Sequence, residues 1–285
     1  MTDLHEPQQM IDSHQHLWMI SERNYDWISP EYGAIYGDFG PEAVADDISE
    51  SGVTGTVLVQ AADTYEDTFY MLSVAASVPA VLGVVAWAPL DRTAEARAAL
   101  DLYAESPWVK GIRVLNHTYE DARWLLRAGV TESISLLASR GLTLDYVSVL
   151  DAHLESLPEL AQRHPNLTIV LDHMAKPPIA AKGWEPWASL ISAAAAQANV
   201  IVKLSGLNTA SGADWTSADW QPYVDHTLSA FGADRMMLGS DWPVSILAGD
   251  FVGVWRAQRQ VLAGLSVSEQ DDVLFRTARR VYNLG

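Results

Sequence analysis

Two histidines one residue apart, His14 and His16 in the stretch MIDSHQHLWMI, are the first side chains whose type and spacing suit chemistry, and Asp12 stands just before them. Neutral imidazoles offer lone pairs to a metal ion, or N–H groups to a developing negative charge. On a β-strand residues i and i+2 share a face, so both rings point inward to one axis or both outward into a helical layer. Inward, they converge as metal ligation or joint polarisation of a carbonyl requires; outward, they are ordinary packing residues. Farther along, His173 closes the apolar run IVLDH, and Asp241 closes MMLGSD. Asp241 reads as a general base for water or a metal ligand, or else as the cap of a turn beginning at Trp242 and Pro243. His173 reads as a further member of that set or as a core imidazole. Arg113, in KGIR, places a guanidinium in an apolar run, where it needs a protein carboxylate or a substrate oxygen as partner. His117, Tyr146, Lys176, Trp27 and Trp242 lie near the same kind of boundary and are candidate substrate contacts, with His153 behind them. Lys176 alone is equally a solvated loop charge, and each tryptophan equally a packing residue. His5, His164 and His226 fall on a tail and on helices and read as surface residues.

Such residues need elements that end together. Eight apolar, β-rich runs recur: Met10–Leu17, Gly55–Ala61, Leu82–Pro89, Val109–Leu115, Leu142–Ser148, Leu167–His173, Val200–Ser205 and Met236–Asp241. Near-continuous apolarity is what parallel strands covered on both faces show. Helix-like segments alternate with them: Pro41–Ser51, Glu66–Val78, Thr93–Ser106, Thr131–Arg140, Asp151–His164, Trp184–Ala198 and Ala218–Phe231, with Phe251–Gly264 and Ser268–Leu284 after the last strand. Glycine or proline punctuates their ends. Strand and helix alternate eight times without a linker, which predicts a single α/β domain over residues 1–285, a (β/α)8 TIM barrel preceded by a polar tail at 1–9. A doubly wound open sheet is the architectural alternative. A barrel collects its chemistry where the strands end, and the runs end in His14 and His16, Gln60, Arg113, Asp145–Tyr146, Asp172–His173, Lys203 and Ser205, and Ser240–Asp241.

The composition narrows the partners. Lys+Arg number 18 against 36 Asp+Glu, a net charge of −18, which argues against nucleic acid and anionic membrane as partners. A small anionic ligand needs only one pocket cation and stays open. With no cysteine, disulfides, thiolate metal sites and cysteine nucleophiles are excluded. The segment MTDLHEPQQ lacks a basic stretch followed by an apolar one, and no run is long enough to span a membrane, so a cytoplasmic protein is the expectation.

Taken in order, IDSHQHLW, GTVLVQA, KGIR, LDHMAKP, KLSGL and MLGSDWPV resemble the amidohydrolase superfamily. Within it they are similar to the Amidohydrolase 2 branch of TIM-barrel hydrolases, which includes L-fucono- and L-rhamnono-lactonases and 2-pyrone-4,6-dicarboxylate lactonase. The likeness runs from about Met10 to the C-terminus, and NYDWI and GSDWPV are its sugar-lactonase features. It implies that His14 and His16 are the first-strand pair, His173 the sixth-strand histidine and Asp241 the eighth-strand aspartate. These four are then the catalytic residues, and the ligands of a metal if one is present. Members with two metals also bring a bridging Lys or Glu from strand four and a histidine from strand five. Here those places hold Arg113 and Asp145–Tyr146, so the implied cofactor is one divalent ion (Zn or Mn), or none. The implied activity is opening of the ring ester of a sugar lactone (an aldonolactone such as L-fucono- or L-rhamnono-lactone) by water activated at Asp241. Arg113 and Lys176 would hold substrate hydroxyls or carbonyl charge. The small-molecule lactone is the expected partner, a homo-oligomer being compatible with the sequence. A metal-dependent decarboxylase of an unsaturated carboxylic acid on the same barrel, and a non-catalytic barrel that binds a sugar acid, are the alternative functions.

Overall fold

The computed structural model describes residues 4–212 and 214–285; the first three residues of the polar tail lie outside the described residues. Its centre is one sheet of eight parallel strands in sequential order. These are β1 Ile11–Gln15, β2 Gly55–Val59, β3 Val81–Ala86, β4 Val109–Arg113, β5 Thr143–Tyr146, β6 Ile169–Leu171, β7 Val200–Leu204 and β8 Met236–Leu238. Six of them are buried along their whole length, and runs such as GTVLV and IVL are apolar and β-branched-rich, which suits a parallel sheet covered by helices.

The sheet closes nearly into a barrel. Gln15 pairs with Trp242 in a parallel bridge, His16 N donates to Trp242 O at 2.7 Å, and Asp241 N donates to His14 O at 2.8 Å. The seam requires a glycine, because a Cβ at Gly239 would sit 2.6 Å from His14 Cβ. The same backbone bonds that shut the barrel therefore set the ends of the first and last strands side by side.

The surrounding helices are α1 Ala45–Glu50, α2 Tyr65–Ser77, α3 Thr93–Tyr103, α4 Ala128–Ser139, α5 Asp151–Arg163, α6 Trp187–Ala195, α7 Leu207–Ser211, α8 Ser217–Phe231, α9 Phe251–Val261, α10 Val267–Asp271 and α11 Thr277–Val281. Side-chain caps mark several starts: the Thr64 hydroxyl accepts from Asp67 N at 3.2 Å, and the Asp250 carboxylate accepts from Gly253 N at 2.7 Å. Outward strand residues such as Leu58, Val84, Ile112, Leu144 and Val202 pack against this layer. Inside, Ile11, Val57, Val59, Val85, Val170, Ile201 and Met237 pack on Ala278, Tyr282 and Leu284, so the C-terminal segment closes the end where the strands begin. The opposite end stays free for chemistry. Among the described residues no helix is long and apolar enough to cross a membrane.

The elements differ from expectation mainly at their ends. The sixth strand stops at Leu171, not His173, because the chain turns into left-handed conformation there; the eighth stops at Leu238, and Asp241 also has positive φ. The expected helix Pro41–Ser51 is a 3₁₀ turn followed by α1, and Ser268–Leu284 is α10 and α11 joined by a π-turn over Asp272–Arg276. The short α7 follows β7 in a stretch read as loop.

Candidate active site

Four of the side chains singled out by type and spacing meet at the open mouth. His14 Nε2 and His16 Nε2 are 3.1 Å apart. Asp241 Oδ1 lies 3.8 Å from His14 Nε2, 3.6 Å from His16 Nε2 and 3.8 Å from His173 Nε2. All four residues are buried. His16, His173 and Asp241 form the floor of a cavity of about 160 Å³, with His14 packed against them; Arg113, His117 and Lys176 also line it, with walls of Trp27, Ala61, Leu115, Val147, Val149 and Val244.

A left-handed turn places one side of this floor. His173, Met174, Ala175 and Lys176 have φ of 55°, 51°, 56° and 49°, a conformation that costs an ordinary residue about 1–2 kcal/mol. Lys176 N donates to His173 O at 2.9 Å across the turn. Met174 is held down by burial and by a 2.8 Å bond from Trp187 Nε1 to its carbonyl. The result is that His173 and Lys176 flank Asp241 from the same turn, with Lys176 Nζ 3.5 Å from Asp241 Oδ2. Gly206, after β7, makes room: a Cβ there would lie 2.7 Å from Asp241 Oδ2, 2.7 Å from Lys176 Nζ and 3.0 Å from His173 Nδ1.

Beneath the floor lies a fully buried ionic layer. Lys203 Nζ is 2.6 Å from Asp145 Oδ2, 3.2 Å from Asp172 Oδ1 and 3.0 Å from His14 Nδ1. Arg113 Nη1 donates to Asp172 Oδ2 at 3.1 Å, and Tyr282 OH donates to Asp145 Oδ2 at 2.6 Å. Buried charges need such mutual pairing to be tolerated. Arg113 thus has its protein carboxylate, and still lines the cavity.

Burial dominates the titration of the imidazoles. It lowers His14 well below its ordinary value, helped by the Lys203 charge, and it lowers His16. It pushes His173 down to about 3 and His117 to about 4. Burial alone would raise Asp241, but its imidazole neighbours, the Lys176 ammonium and the bond to His16 hold it well below the carboxylate range. The floor at neutral pH is therefore an ionised carboxylate among neutral imidazoles, an arrangement able to take a proton from water or to hold a cation.

The donor atoms fit a divalent metal. His16 Nδ1 donates to Val59 O at 2.7 Å, which leaves its Nε2 lone pair facing the mouth. His14 Nδ1 lies 3.3 Å from Asp172 Oδ1; donating there, it too presents an Nε2 lone pair, with the outer carboxylate typical of metal-bound histidine. Two lone pairs 3.1 Å apart need a positive partner; Arg113 Nη1, 3.3 Å from His14 Nε2, supplies one, and a metal with bonds of about 2.0–2.2 Å also accommodates donors at this separation and at those of Asp241. The other tautomer, with His14 Nδ1 accepting from Lys203, directs a Nε2–H at His16 instead. His14, His16 and Asp241 form one cluster suited to a metal, and His14, Asp172 and His173 another.

Trp27, His117 and Lys176 reach the cavity. Tyr146 and Trp242 do not line it, which corrects their reading as substrate contacts. Tyr146 leaves the barrel for the helix layer, where its hydroxyl bonds His153 O at 2.7 Å and Ser156 Oγ at 2.9 Å. Trp242 packs edge-to-face on Phe39. His153 Nδ1 accepts from Val149 N and Leu150 N at the start of α5, and His164 is buried instead of lying on the surface. Sequence reasoning assigned no role to Asp172, Ser205 or Gly206, although Ser205 bonds His173 Nδ1 at 2.8 Å. The signal for Asp172 was present in LDH, an acidic residue beside a candidate ligand.

Residues 11–284 match the family model described as amidohydrolase. The chain belongs to the amidohydrolase family. It is 41% identical over 249 residues to an L-fucono-1,5-lactonase of Burkholderia ambifaria, a match covering 87% of this chain and 85% of the relative. A crystal structure of an amidohydrolase from Burkholderia multivorans with bound HEPES superposes with a TM-score of 0.90 at 27% identity, covering 97% of this chain and 100% of that one. A second crystal structure from that organism, with bound zinc, has a TM-score of 0.87 at 28% identity over 97% and 100% of the two chains.

Proposed function

We propose that this amidohydrolase opens the ring ester of a sugar lactone, an aldonolactone of the L-fucono-1,5-lactone type, with Asp241 as base. The observation that carries the reading is the ionised Asp241 carboxylate within 3.8 Å of three neutral imidazoles at the barrel mouth; the 41% identical lactonase supports the substrate class. Among the described residues Asp241 Oδ2 accepts no hydrogen bond; with the Lys176 ammonium 3.5 Å away, it is placed to accept a proton from water. The water oxygen then adds to the lactone carbonyl carbon. Negative charge on the carbonyl oxygen is met by N–H groups of the Arg113 guanidinium, held by Asp172, and by Nε2–H of His173, whose Nδ1 accepts from Ser205 Oγ. Collapse of the tetrahedral adduct breaks the bond to the ring oxygen, which takes back the proton held on Asp241. Lactone and water become one hydroxy acid, which ionises and releases a proton to the medium. Lys176 and His117 hold hydroxyls of the sugar, and the Trp27 ring walls the cavity against its carbons. A divalent ion held by His14, His16 and Asp241, with His173 beside them, would add Lewis-acid polarisation of the carbonyl and acidification of water.

The test is proton release on L-fucono-1,5-lactone, with the product identified by mass. Wild type should add one water per lactone, and Asp241→Asn should lose roughly 10²–10⁴-fold in kcat while melting like wild type. A D241N variant that keeps wild-type turnover, or a product lighter by carbon dioxide, defeats the reading.

A further inference from the structure

Two walls of the cavity, Leu115 and His117, sit on the segment that leaves β4, and neither is held by the barrel floor. The segment is fastened from the end of β2, across β3. Asp63 Oδ1 accepts from Leu115 N at 2.9 Å, and Asp63 Oδ2 accepts from Tyr119 OH at 2.7 Å. One carboxylate thus grips the segment on both sides of His117. Gln60 braces the grip: its Nε2 donates to Asp63 Oδ1 at 2.9 Å and to Arg113 O at 3.2 Å, while the Arg113 guanidinium donates to Gln60 O. Tyr119 is itself packed on Trp124, ring centroids 4.6 Å apart. Asn116 Nδ2 adds a bond to Val147 O at 3.1 Å on the β5 side. Asp63 does not line the cavity, so the lactone has no direct use for it. Its bonds are spent on where Leu115 and His117 stand, and among the described residues His117 Nδ1 has no hydrogen-bond partner.

We propose that Asp63 is a positioning residue for substrate binding: with Tyr119 it latches the β4 segment so that His117 and Leu115 define one wall of the lactone site. This deepens the lactonase reading and rests on it for the identity of the ligand. Because the latch acts on the wall and not on Asp241, it governs KM more than kcat. A merely structural carboxylate would change stability and leave both constants alone.

The experiment compares Tyr119→Phe, Asp63→Asn and Asp63→Ala with wild type in two readouts. These are kcat and KM on L-fucono-1,5-lactone, and amide hydrogen exchange of the full-length protein. Loss of the Tyr119 hydroxyl removes one bond and should raise KM about 3–10-fold with kcat within about 2-fold. Asp63→Ala removes both and should raise KM more than about 10-fold, with exchange accelerated at 115–119 and unchanged in β2 and β5. Asp63→Asn, which keeps an acceptor for Leu115 N, should fall between them. KM and exchange at 115–119 both unmoved in Y119F and D63A would overturn the proposal, as would a fall in kcat at constant KM. Should D63A not fold, Y119F carries both readouts. If wild type does not hydrolyse the lactone, the lactonase reading fails by itself, while protection at 115–119 still decides the latch.

Discussion

Gly206, a residue with no side chain, sits where the site tolerates least change. Gly206 has φ +59°, and a methyl there would stand 2.7 Å from Asp241 Oδ2 and from Lys176 Nζ, and 3.0 Å from His173 Nδ1. Ordinary contact for such pairs begins near 3.4 Å, so Gly206→Ala must move the carboxylate and the ammonium by roughly 0.7 Å each. Lys176 Nζ, at the tip of a side chain that is one-quarter exposed (25%), can give way, but Asp241 and His173 cannot retreat freely. Asp241 is tied through its backbone N to His14 O, and His173 is bonded to Ser205. The backbone cost of alanine at positive φ is about 1–2 kcal/mol, which for a chain of this size lowers Tm by about 2–6 °C. Misplacing reacting groups by the better part of an ångström costs on the order of 10²-fold in rate. G206A should therefore be folded at 25 °C, slightly less stable, and about 10²-fold down in kcat/KM for lactone hydrolysis. Gly141→Ala, at φ +68° with nothing within 4 Å among the described residues, is the matched control and should lose similar stability with wild-type turnover. A G206A protein within about 3-fold of wild type would show that the spacing of Asp241, Lys176 and His173 does not limit the rate.

Four more expectations follow from the same geometry. Since burial lowers His14, His16, His173 and His117, kcat/KM should be flat from pH 6 to 8, and an inflection near the ordinary histidine value of about 6.5 would contradict neutral imidazoles. The folded His117, near 4, takes up its proton later than the unfolded chain does. Its contribution to stability is thus whole above about 6.5 and erodes as pH falls toward 4; urea midpoints at pH 7 and pH 4.5 should drop less in His117→Asn than in wild type. Lys203→Met strips the ammonium from buried Asp145 and Asp172 and should cost about 3–5 kcal/mol in urea unfolding, with partial recovery in the K203M/D145N double variant; a loss under about 1 kcal/mol would mean the layer is not held by charge. Zinc titration of chelated protein should find binding that is weakened in His16→Asn, since His16 directs its free lone pair at the mouth; equal uptake by the variant would place the ion elsewhere.

Much of this was written in the chain itself. Eight apolar runs broken by amphipathic segments allow few architectures, because a parallel strand needs a helix to cross back over the sheet. The HQH spacing put two imidazoles on one face by strand geometry alone, and the family motifs in LDHMAKP and GSDWPV marked His173 and Asp241. What the chain did not reveal was direction and distance. Tyr146 looked like a cavity residue because its strand ends at the mouth, yet alternation on the strand sends it outward to His153 and Ser156. Lys203 and Asp145 are far apart in sequence and become a 2.6 Å pair only when β5 and β7, on either side of β6, both turn them into the barrel. Asp63 gains meaning only because β4 lies beside β2's loop once the strands wrap round. Local periodicity determines which residues share a strand face; closure of the barrel decides which of them touch, since contacts across its axis join side chains that no sequence spacing relates.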